Sequence, residues 1–142
     1  MTKAQYGAGS RITTRCSFDG MGAPFLMIAD KLYVDQDGYA RFSNYIEVVI
    51  YEEGVNVWRM WPKDDTVTWK LLAGVKFAVR EGDIHTLTAE IGKERLTVDA
   101  DGHRFSLYIP DIYTSFHLGI GACEGINRFY DMEIDGTQRK TL

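Results

Sequence analysis

Apolar and polar residues alternate with a period of two through the last third of the chain, residues 84–134. Alternation of this kind is typical of strands that bury one face. Two dipeptides interrupt it, Gly92-Lys93 and Asp101-Gly102, and both suit short hairpin turns. The pattern therefore predicts a series of antiparallel strands joined by tight turns.

The turns predict how these strands pair. If both are two-residue turns, Glu90 pairs with Arg95 and Asp99 pairs with Arg104, and one face of the sheet stays apolar. A slip of one residue would place Arg104 in the core. The residues predicted to be buried are Leu87, Ala89, Ile91, Leu96, Val98, Phe105 and Leu107.

A second hairpin is predicted over residues 45–61. Its turn, Tyr51-Glu52-Glu53-Gly54, suits a type I turn closed by a glycine bulge, which pairs Tyr51 with Val55 and Glu47 with Arg59. In this register the core face holds Ile46, Val48, Ile50, Trp58 and Met60, and the outward face holds Tyr45, Glu47, Tyr51, Arg59 and Trp61. The outward face is therefore aromatic and charged, unlike the polar exterior of the C-terminal hairpins.

The rest of the chain has the same character. No segment shows the period of a long amphipathic helix, and β-branched and aromatic residues dominate. We expect an all-β protein whose 142 residues, 1–142, form one domain. The predicted strands are residues 10–18, 24–29, 31–34, 39–42, 45–51, 55–61, 66–72, 76–80, 84–91, 94–100, 103–109, 116–123 and 128–134.

Composition and charge exclude several classes of protein. Hydrophobic residues make up 45% of the chain and charged residues 25%, as in ordinary globular proteins. The 16 basic residues are scattered among 20 acidic ones, so nucleic acid is not an expected partner. The N-terminal region has no signal-like apolar stretch, and no window approaches the roughly 18 apolar residues of a membrane span. We expect a cytoplasmic protein without a membrane partner, or a secreted one if the sequence has been trimmed.

The two cysteines, Cys16 and Cys123, lie in separate predicted strands. They are too few for a disulfide scaffold and lack the spacing of a metal-binding pair. Free, partly buried thiols are the simpler interpretation. A bridge between the first and a late strand is the alternative.

The closing segment resembles a known group of folds. HTLTAEIGKERLTVDADGHRF, followed by the glycine-rich HLGIGACEG and the aromatic-acidic RFYDMEI, resembles the concanavalin A-like, laminin G-like jelly-roll superfamily over roughly half the chain. The resemblance implies a two-sheet antiparallel β-sandwich with a flat back sheet and a concave front sheet. In many members of that group the concave sheet binds sugars.

The catalytic and sugar-binding motifs of that superfamily are missing. The chain lacks the E-x-D-x-x-E triplet of its glycoside hydrolases, and the nearest acidic grouping, Glu52-Glu53, falls in a turn. The H-x-N-x-R and W-x-x-E-x-R patterns of galectins are absent as well. The resemblance therefore implies an architecture and a general tendency to bind carbohydrate or protein, and we predict no catalytic residue.

The first candidate site is a group of aromatic residues with charged neighbours. Sugars stack their C–H faces on aromatic rings, while their hydroxyls need paired polar groups such as Glu47 and Arg59. The aromatic candidates are Trp58, Trp61 and Trp69, with Tyr45 and Tyr51 nearby, although the alternation places Trp58 in the core. Alternatively, Trp61 and Trp69 cap a sheet edge or fill a homodimer interface.

The second candidate is the predicted strand 116–123, whose outward face holds His117, Gly119, Gly121 and Cys123. Two glycines on one face make a shallow floor that a ligand or another backbone can approach closely. The residues predicted to contact a ligand here are His117 and, at the following turn, Glu124, Asn127 and Arg128. Close packing by a neighbouring strand, with a simple hydrogen-bonded histidine, is the alternative.

Three acidic turns are candidate calcium sites: Asp35-Gln36-Asp37-Gly38, Asp64-Asp65 and Asp99-Ala100-Asp101-Gly102. Calcium needs several oxygen ligands, and some laminin G-like proteins bind it at sheet rims. The same composition is also ordinary in tight turns, and no complete calcium loop is present. We therefore predict neither a metal site nor a cofactor.

Three functional hypotheses follow. The leading one is a carbohydrate-binding or carbohydrate-handling β-sandwich whose aromatic sheet face takes an oligosaccharide or glycan. The alternative is a self-associating or protein-partner module, a homodimer included, whose outward aromatics form an interface. A glycoside hydrolase using Glu47, Glu124 or His117 is the third, because paired carboxylates can converge from distant strands.

Overall fold

The computed structural model describes residues 1–63 and 66–136, together with the backbone of residues 138–139. This part of the chain contains no helix, and hence none long and apolar enough to cross a membrane. Its strands, in chain order, are β1 (Gln5–Tyr6), β2 (Ser10–Asp19), β3 (Ala23–Ala29), β4 (Leu32–Val34), β5 (Ala40–Phe42), β6 (Tyr45–Tyr51), β7 (Gly54–Lys63), β8 (Thr66–Lys76), β9 (His85–Ile91), β10 (Arg95–Ala100), β11 (His103–Tyr108), β12 (His117–Cys123), β13 (Ile126–Asp135) and β14 (Gln138–Arg139). The all-β prediction is confirmed.

Most of these strands belong to two antiparallel sheets of five strands each. The back sheet has the order β11-β10-β9-β2-β13, and the front sheet has the order β12-β3-β6-β7-β8. Two-stranded ladders join β4 to β5 and β1 to β14. The two large sheets pack face to face, so the predicted two-sheet antiparallel β-sandwich is confirmed.

The core lies between the inner faces of the two sheets. It is built from the apolar positions that alternate along each strand, as period-two packing requires. Fully burying a side chain of this kind contributes about 1.5–3 kcal/mol. The largest fully buried side chains are Phe18, Phe116, Ile12, Leu26, Ile28, Ile46, Ile50, Leu87, Ile91, Leu96, Leu118 and Val48.

The hairpin of β10 and β11 has the predicted register. Asp99 lies opposite Arg104 across a turn at Asp101-Gly102. Both turn residues have positive φ, 51° and 87°, which a tight turn of this kind needs. The Asp99 side chain also accepts a hydrogen bond from the Gly102 amide at 3.0 Å.

The register predicted between β9 and β10 is wrong by two residues. Glu90 lies opposite Thr97 rather than Arg95, because the turn comprises residues 92–95 and the Gly92 amide donates to the Arg95 carbonyl at 2.7 Å. A shift of two residues leaves each side chain on its predicted face. Accordingly Leu87, Ala89, Ile91, Leu96 and Val98 are buried, and Phe105 and Leu107 pack against the core while partly exposed.

The register predicted between β6 and β7 is wrong by one residue. Tyr51 pairs with Gly54 rather than Val55, so the connection is the two-residue turn Glu52-Glu53. Gly54 has a φ of 138°, and a Cβ there would collide with the Val75 carbonyl on β8. Only glycine can adopt this φ and also fit beside the Val75 carbonyl, so the first position of β7 requires glycine.

A slip of one residue exchanges the faces of a strand. Glu47 therefore lies opposite Trp58, and the predicted Glu47–Arg59 pair does not form. Trp58 and Met60, which were predicted in the core, share the outward face with Tyr45 and Glu47, whereas Val55 and Val57 are fully buried and Arg59 and Trp61 turn to the other face.

Two predicted strands, 66–72 and 76–80, are replaced by the single strand β8, which ends at Lys76. The segment after it runs along the turn between β6 and β7, where the Phe77 and Val79 amides donate to the Glu53 and Glu52 carbonyls at 3.0 and 3.1 Å. The short strands β1 and β14 were not predicted.

Candidate functional site

The outer face of the front sheet, called the front face below, carries rows of side chains that run across its strands. Ile46, Val48 and Ile50 of β6 point into the core, so Tyr45, Glu47, Val49 and Tyr51 point outward. The central row, from β12 to β8, is Gly119, Met27, Glu47, Trp58 and Leu71. The adjacent row is His117, Ala29, Tyr45, Met60 and Trp69.

Glu47 occupies the middle of the central row. It is only 7% exposed, although it faces outward, and it lies between Met27 and Trp58 on the neighbouring strands. No other described residue hydrogen-bonds or ion-pairs with its carboxyl group. Burial disfavours the charged form and raises the pKa of Glu47 from 4.5 to about 7. A buried, unpartnered carboxyl of this kind is a recognised mark of a functional site.

Two further titratable groups respond to this carboxyl. Burial, and then the Glu47 charge, raise the pKa of the Tyr45 hydroxyl. Burial also raises the pKa of the Cys123 thiol, with smaller contributions from the charges of Glu47 and Glu124. The centre of the front face therefore combines apolar surface with negative charge.

A cleft of about 1000 Å³ opens beside the front face, between the β4–β5 ribbon and the ends of β6, β7 and β8. Tyr33, Phe42 and Tyr45 contribute rings to its walls, and Asp35 and Arg41 contribute charges. The Arg41 Nε donates to Asp35 at 2.8 Å and holds the pKa of that carboxyl below its usual value. Rings combined with a few fixed polar groups are typical of small-ligand sites.

Tyr51 and Trp69 also lie on the front face. Trp69 is on the edge strand β8 and is 62% exposed. The Tyr51 hydroxyl accepts a hydrogen bond from Lys76 Nζ at 2.7 Å, and the same ammonium pairs with Glu53 at 2.9 Å. Of the predicted ligand residues, Tyr45, Glu47, Tyr51 and Trp69 are thus brought to one face.

Arg59 and Trp61 line a separate cleft of about 430 Å³ on the other side of β7. Arg59 Nη1 donates to the Asp111 carboxylate at 2.7 Å, and Nη2 donates to the Asp111 carbonyl at 3.1 Å. The guanidinium also lies 5.4 Å from the centre of the Trp61 ring. These contacts join the front sheet to the loop after β11, away from Glu47.

The glycine floor on β12 is occupied by the protein itself. Met1 lies over Gly119, where a Cβ would come within 2.8 Å of its Cα, and the Phe25 ring lies over Gly121. His117 is 7% exposed, and its Nδ1 is 3.0 Å from the Thr2 carbonyl oxygen. Both glycines are therefore covered by the chain, Gly119 by Met1, which precedes the first strand, and Gly121 by a ring from the neighbouring strand β3.

The turn after β12 contributes little to the front face. Glu124 is exposed and has a φ of 49°, and Asn127 Nδ2 donates to its carbonyl at 2.7 Å, which holds the turn. Arg128 belongs to the back sheet, where its guanidinium pairs with Asp19 at 2.7 Å. Asn127 and Arg128 therefore have structural partners outside the front face.

The acidic turns use their carboxylates to hold backbone. Asp35 accepts hydrogen bonds from the Asp37 and Tyr39 amides, and Asp101 contacts His85 Nδ1 at 2.6 Å. Within residues 1–63 and 66–136 no group of three or more His, Cys, Asp or Glu is arranged to hold a metal ion. The predicted turn Asp64-Asp65 lies outside the described residues.

Both cysteines are free. Cys16 is fully buried in the core, and burial raises the pKa of its thiol to about 12. Cys123 is exposed on β12. The two thiols therefore lie in very different environments.

Sequence reasoning missed part of this site. Trp58 and Met60 were assigned to the core, and the glycine at position 54 was the available signal that the preceding turn has two residues. Tyr33 and Phe42 were not singled out. They face the cleft because the Asp35 turn folds β4 back on β5.

No family model and no curated protein sequence matches the chain. Solved structures do match. The carbohydrate-binding module CBM66 from Bacillus subtilis superposes with a TM-score of 0.67 and 12% identity, over 96% of this chain and 84% of that one. Chicken galectin 2 superposes with a TM-score of 0.63 and 10% identity, over 93% of this chain and 98% of that one. CG-16, a homodimeric agglutinin from chicken liver, superposes with a TM-score of 0.60 and 11% identity, over 95% of this chain and 97% of that one.

Identities this low establish the fold alone. The similarity covers nearly the whole chain, and the two five-stranded sheets described above account for it. The resemblance inferred from the closing segment is thereby confirmed for the architecture. The chain shares the jelly-roll β-sandwich fold of these structures.

Proposed function

We propose that this chain is a carbohydrate-binding β-sandwich that takes a glycan on its front face. The observation that carries the proposal is that Tyr45, Trp58 and Trp69 share the front face with the buried carboxyl of Glu47. Aromatic rings stack on the C–H faces of sugars, and a buried carboxyl binds their hydroxyls. The shared fold of a carbohydrate-binding module and an agglutinin supports the same class of ligand.

The front face adjoins the cleft. Tyr45 belongs both to a row of the front face and to the wall of the cleft beside the β4–β5 ribbon. A glycan that stacks on Trp69 and Tyr45 therefore extends into the cleft, where Tyr33 offers a further ring and Asp35 and Arg41 offer polar atoms. This arrangement favours an oligosaccharide over a single sugar.

Calorimetric and tryptophan-fluorescence titrations across a glycan panel test the proposal. We expect Trp69→Ala to weaken binding by roughly three- to tenfold, because one stacked ring contributes about 1 kcal/mol. Trp61→Ala is the matched control, since Trp61 lines the separate cleft with Arg59, and it should bind as the wild type does. A panel without any binding partner would contradict the proposal, as would equal losses in the two variants.

Self-association is the second candidate function, and the edge of the front sheet favours it. Val67, Trp69 and Leu71 form an apolar row on the edge strand β8 and are 42%, 62% and 46% exposed. Edge strands with exposed apolar residues readily pair with another chain. Sedimentation velocity over a range of concentrations tests this. A dimer that Trp69→Ala dissociates and Trp61→Ala preserves supports the interface, and a monomer at all concentrations excludes it.

A further inference from the structure

Glu47 stands out among the acidic residues of this protein. It is the only carboxyl side chain in the described part of the chain that is buried, with 7% of its surface exposed. Burying a carboxylate is unfavourable unless a cation or hydrogen-bond donors compensate it. No other described residue provides either to Glu47. The carboxyl therefore has only solvent as a partner within the described structure, and a cationic or hydrogen-bonding ligand can take the place of that solvent.

The groups that face Glu47 show what kind of partner fits. From β3 come Phe25, Met27 and Ala29, and from β7 come Asn56, Trp58 and Met60, none of which ionises. Tyr45 and Tyr51 share its strand, His117 and Cys123 project from β12, and the Met1 amino group lies over Gly119, two strands away.

The basic side chains beside the front face are already paired with carboxylates. Lys76 is held by Glu53 at 2.9 Å and by the Tyr51 hydroxyl, and Arg41 is held by Asp35 at 2.8 Å. These two basic side chains are therefore not directed at Glu47. The rings of Trp58 and Tyr45 beside the carboxyl attract cations through their π faces.

We propose that the front face is selective for an amino sugar whose protonated amine lies against the Glu47 carboxylate. This inference rests on the proposed glycan-binding function and specifies its ligand. The ammonium donates charge-assisted hydrogen bonds to the carboxylate, which are shorter and stronger than neutral ones. An N-acetylated sugar offers one neutral amide donor and leaves the charge uncompensated.

Selectivity for an amine is linked to the protonation of Glu47. The ammonium binds the ionised carboxylate, so a protonated Glu47 must release its proton when the ligand binds. Burial raises the pKa of this group to about 7, so the preference for the amine is weak at about pH 5.5, where Glu47 is protonated, and strengthens towards neutral pH. Above neutral pH the amine of the sugar loses its own proton, so the preference falls again. Tyr45 and Cys123 have raised pKa values and stay neutral over this range. The variant Glu47→Gln retains His117, so a comparison of this variant with the wild type separates the contribution of His117 to the pH dependence of binding.

Isothermal titration with short oligomers of β-1,4-linked glucosamine and N-acetylglucosamine tests the proposal. At about pH 7 and low salt, we expect the glucosamine oligomer to bind the wild type roughly tenfold more tightly. Glu47→Gln keeps the shape of the side chain and should reduce the preference to within about twofold. Glu52→Gln removes the same charge from an exposed turn and should leave the preference unchanged.

The outcomes separate this inference from the proposed function. Equal affinity for the two oligomers in the wild type, or a preference that survives in Glu47→Gln, overturns the amino-sugar assignment and leaves glycan binding standing. Absence of binding to both oligomers and to every other glycan of the panel overturns both. The pH series is run on the wild type and on Glu47→Gln, and a wild-type preference that is no weaker at about pH 5.5 than at neutral pH also overturns the assignment.

Discussion

The carboxyl of Glu47 lowers the stability of the fold to an extent that depends on pH. Its pKa is 4.5 in an unfolded chain and about 7 in the folded protein. Below pH 4.5 the group is protonated in both states and costs nothing. As the pH rises from 4.5 to about 7, the folded state keeps a proton that the unfolded state has already lost, so stability falls by up to about 3 kcal/mol and stays at that lower level at higher pH.

Glu47→Gln removes this cost because the amide carries no charge. We expect the variant to be about 1–3 kcal/mol more stable than the wild type at about pH 8, and to match it within about 0.5 kcal/mol at about pH 4. Urea unfolding at a series of pH values measures the difference. Glu52→Gln, on the exposed turn, should follow the wild type throughout. A Glu47→Gln difference that is the same at both pH values would count against the burial argument.

The two thiols should differ in reactivity. Cys123 is exposed, whereas Cys16 is fully buried and has a pKa of about 12. Alkylation requires the thiolate and access to it. We expect iodoacetamide to modify Cys123 in the native protein and Cys16 only after unfolding, as mass spectrometry would show. Prior reduction should not alter the pattern, and a bridge between the two cysteines would make it do so.

The sequence indicates the chemistry of a single side chain more readily than it indicates which other side chains that residue contacts. Arg59 is predicted from the sequence to bind sugar hydroxyls on the outward face beside Glu47, but it lies on the other face of β7, and its partner Asp111 lies far along the chain, in the loop after β11. Glu47 was selected for its place beside aromatic residues. Its burial depends on Met27, from a strand that the hairpin pattern of residues 45–61 does not contain.

At the level of strands, Gly54 fixes the register of the front face. Its φ of 138° and the Val75 carbonyl beside it both exclude a Cβ. We expect Gly54→Ala to destabilise the protein by about 2–4 kcal/mol in urea unfolding. Gly38→Ala is the control, because Gly38 also has a positive φ, 84°, but has open space beside it, and it should cost only about 1 kcal/mol. Equal losses would mean that the contact with β8 is unimportant.

The two hairpins show why one register could be predicted and the other could not. Asp101-Gly102 has one common solution, the two-residue turn, and a slip would bury Arg104. The turn before Gly54 accepts two solutions, and β7 offers an apolar set on each face, Val55 and Val57 or Trp58 and Met60. The hydrophobic pattern therefore could not choose between the two faces of β7. Contact with β8 makes the choice.

For the molecule as a whole, the two sheets share one core and should unfold together. The three tryptophans lie on β7 and β8 of the front sheet, whereas Cys16 lies on β2 of the back sheet. Tryptophan fluorescence and protection of Cys16 from alkylation therefore report on different sheets. We expect the two urea transitions to coincide within about 0.3 M, as in a two-state domain. Separate midpoints would contradict the prediction of one domain.

The fold could be predicted from the sequence further than the site. Strand positions and the alternation of faces are local properties, and most of the strands lie near their predicted positions. The site depends on long-range placement, such as β3 between β12 and β6, and the β4–β5 ribbon beside the front sheet. Neither placement can be inferred from the spacing of residues along one strand. This is why the sequence indicates Tyr45 and Glu47 as candidates but not Tyr33, Phe42 and Met27.

The two-residue connection before Gly54 also determines how this protein can change over evolution. One inserted residue there would turn β7 over, and β8 with it if their pairing persisted. Trp58 and Trp69 would then enter the core, while Val55 and Val57 would face water. Insertions in the Asp35–Gly38 turn displace only the tip of the ribbon. Homologous sequences should accordingly vary in length at the ribbon and remain constant at residues 52–53.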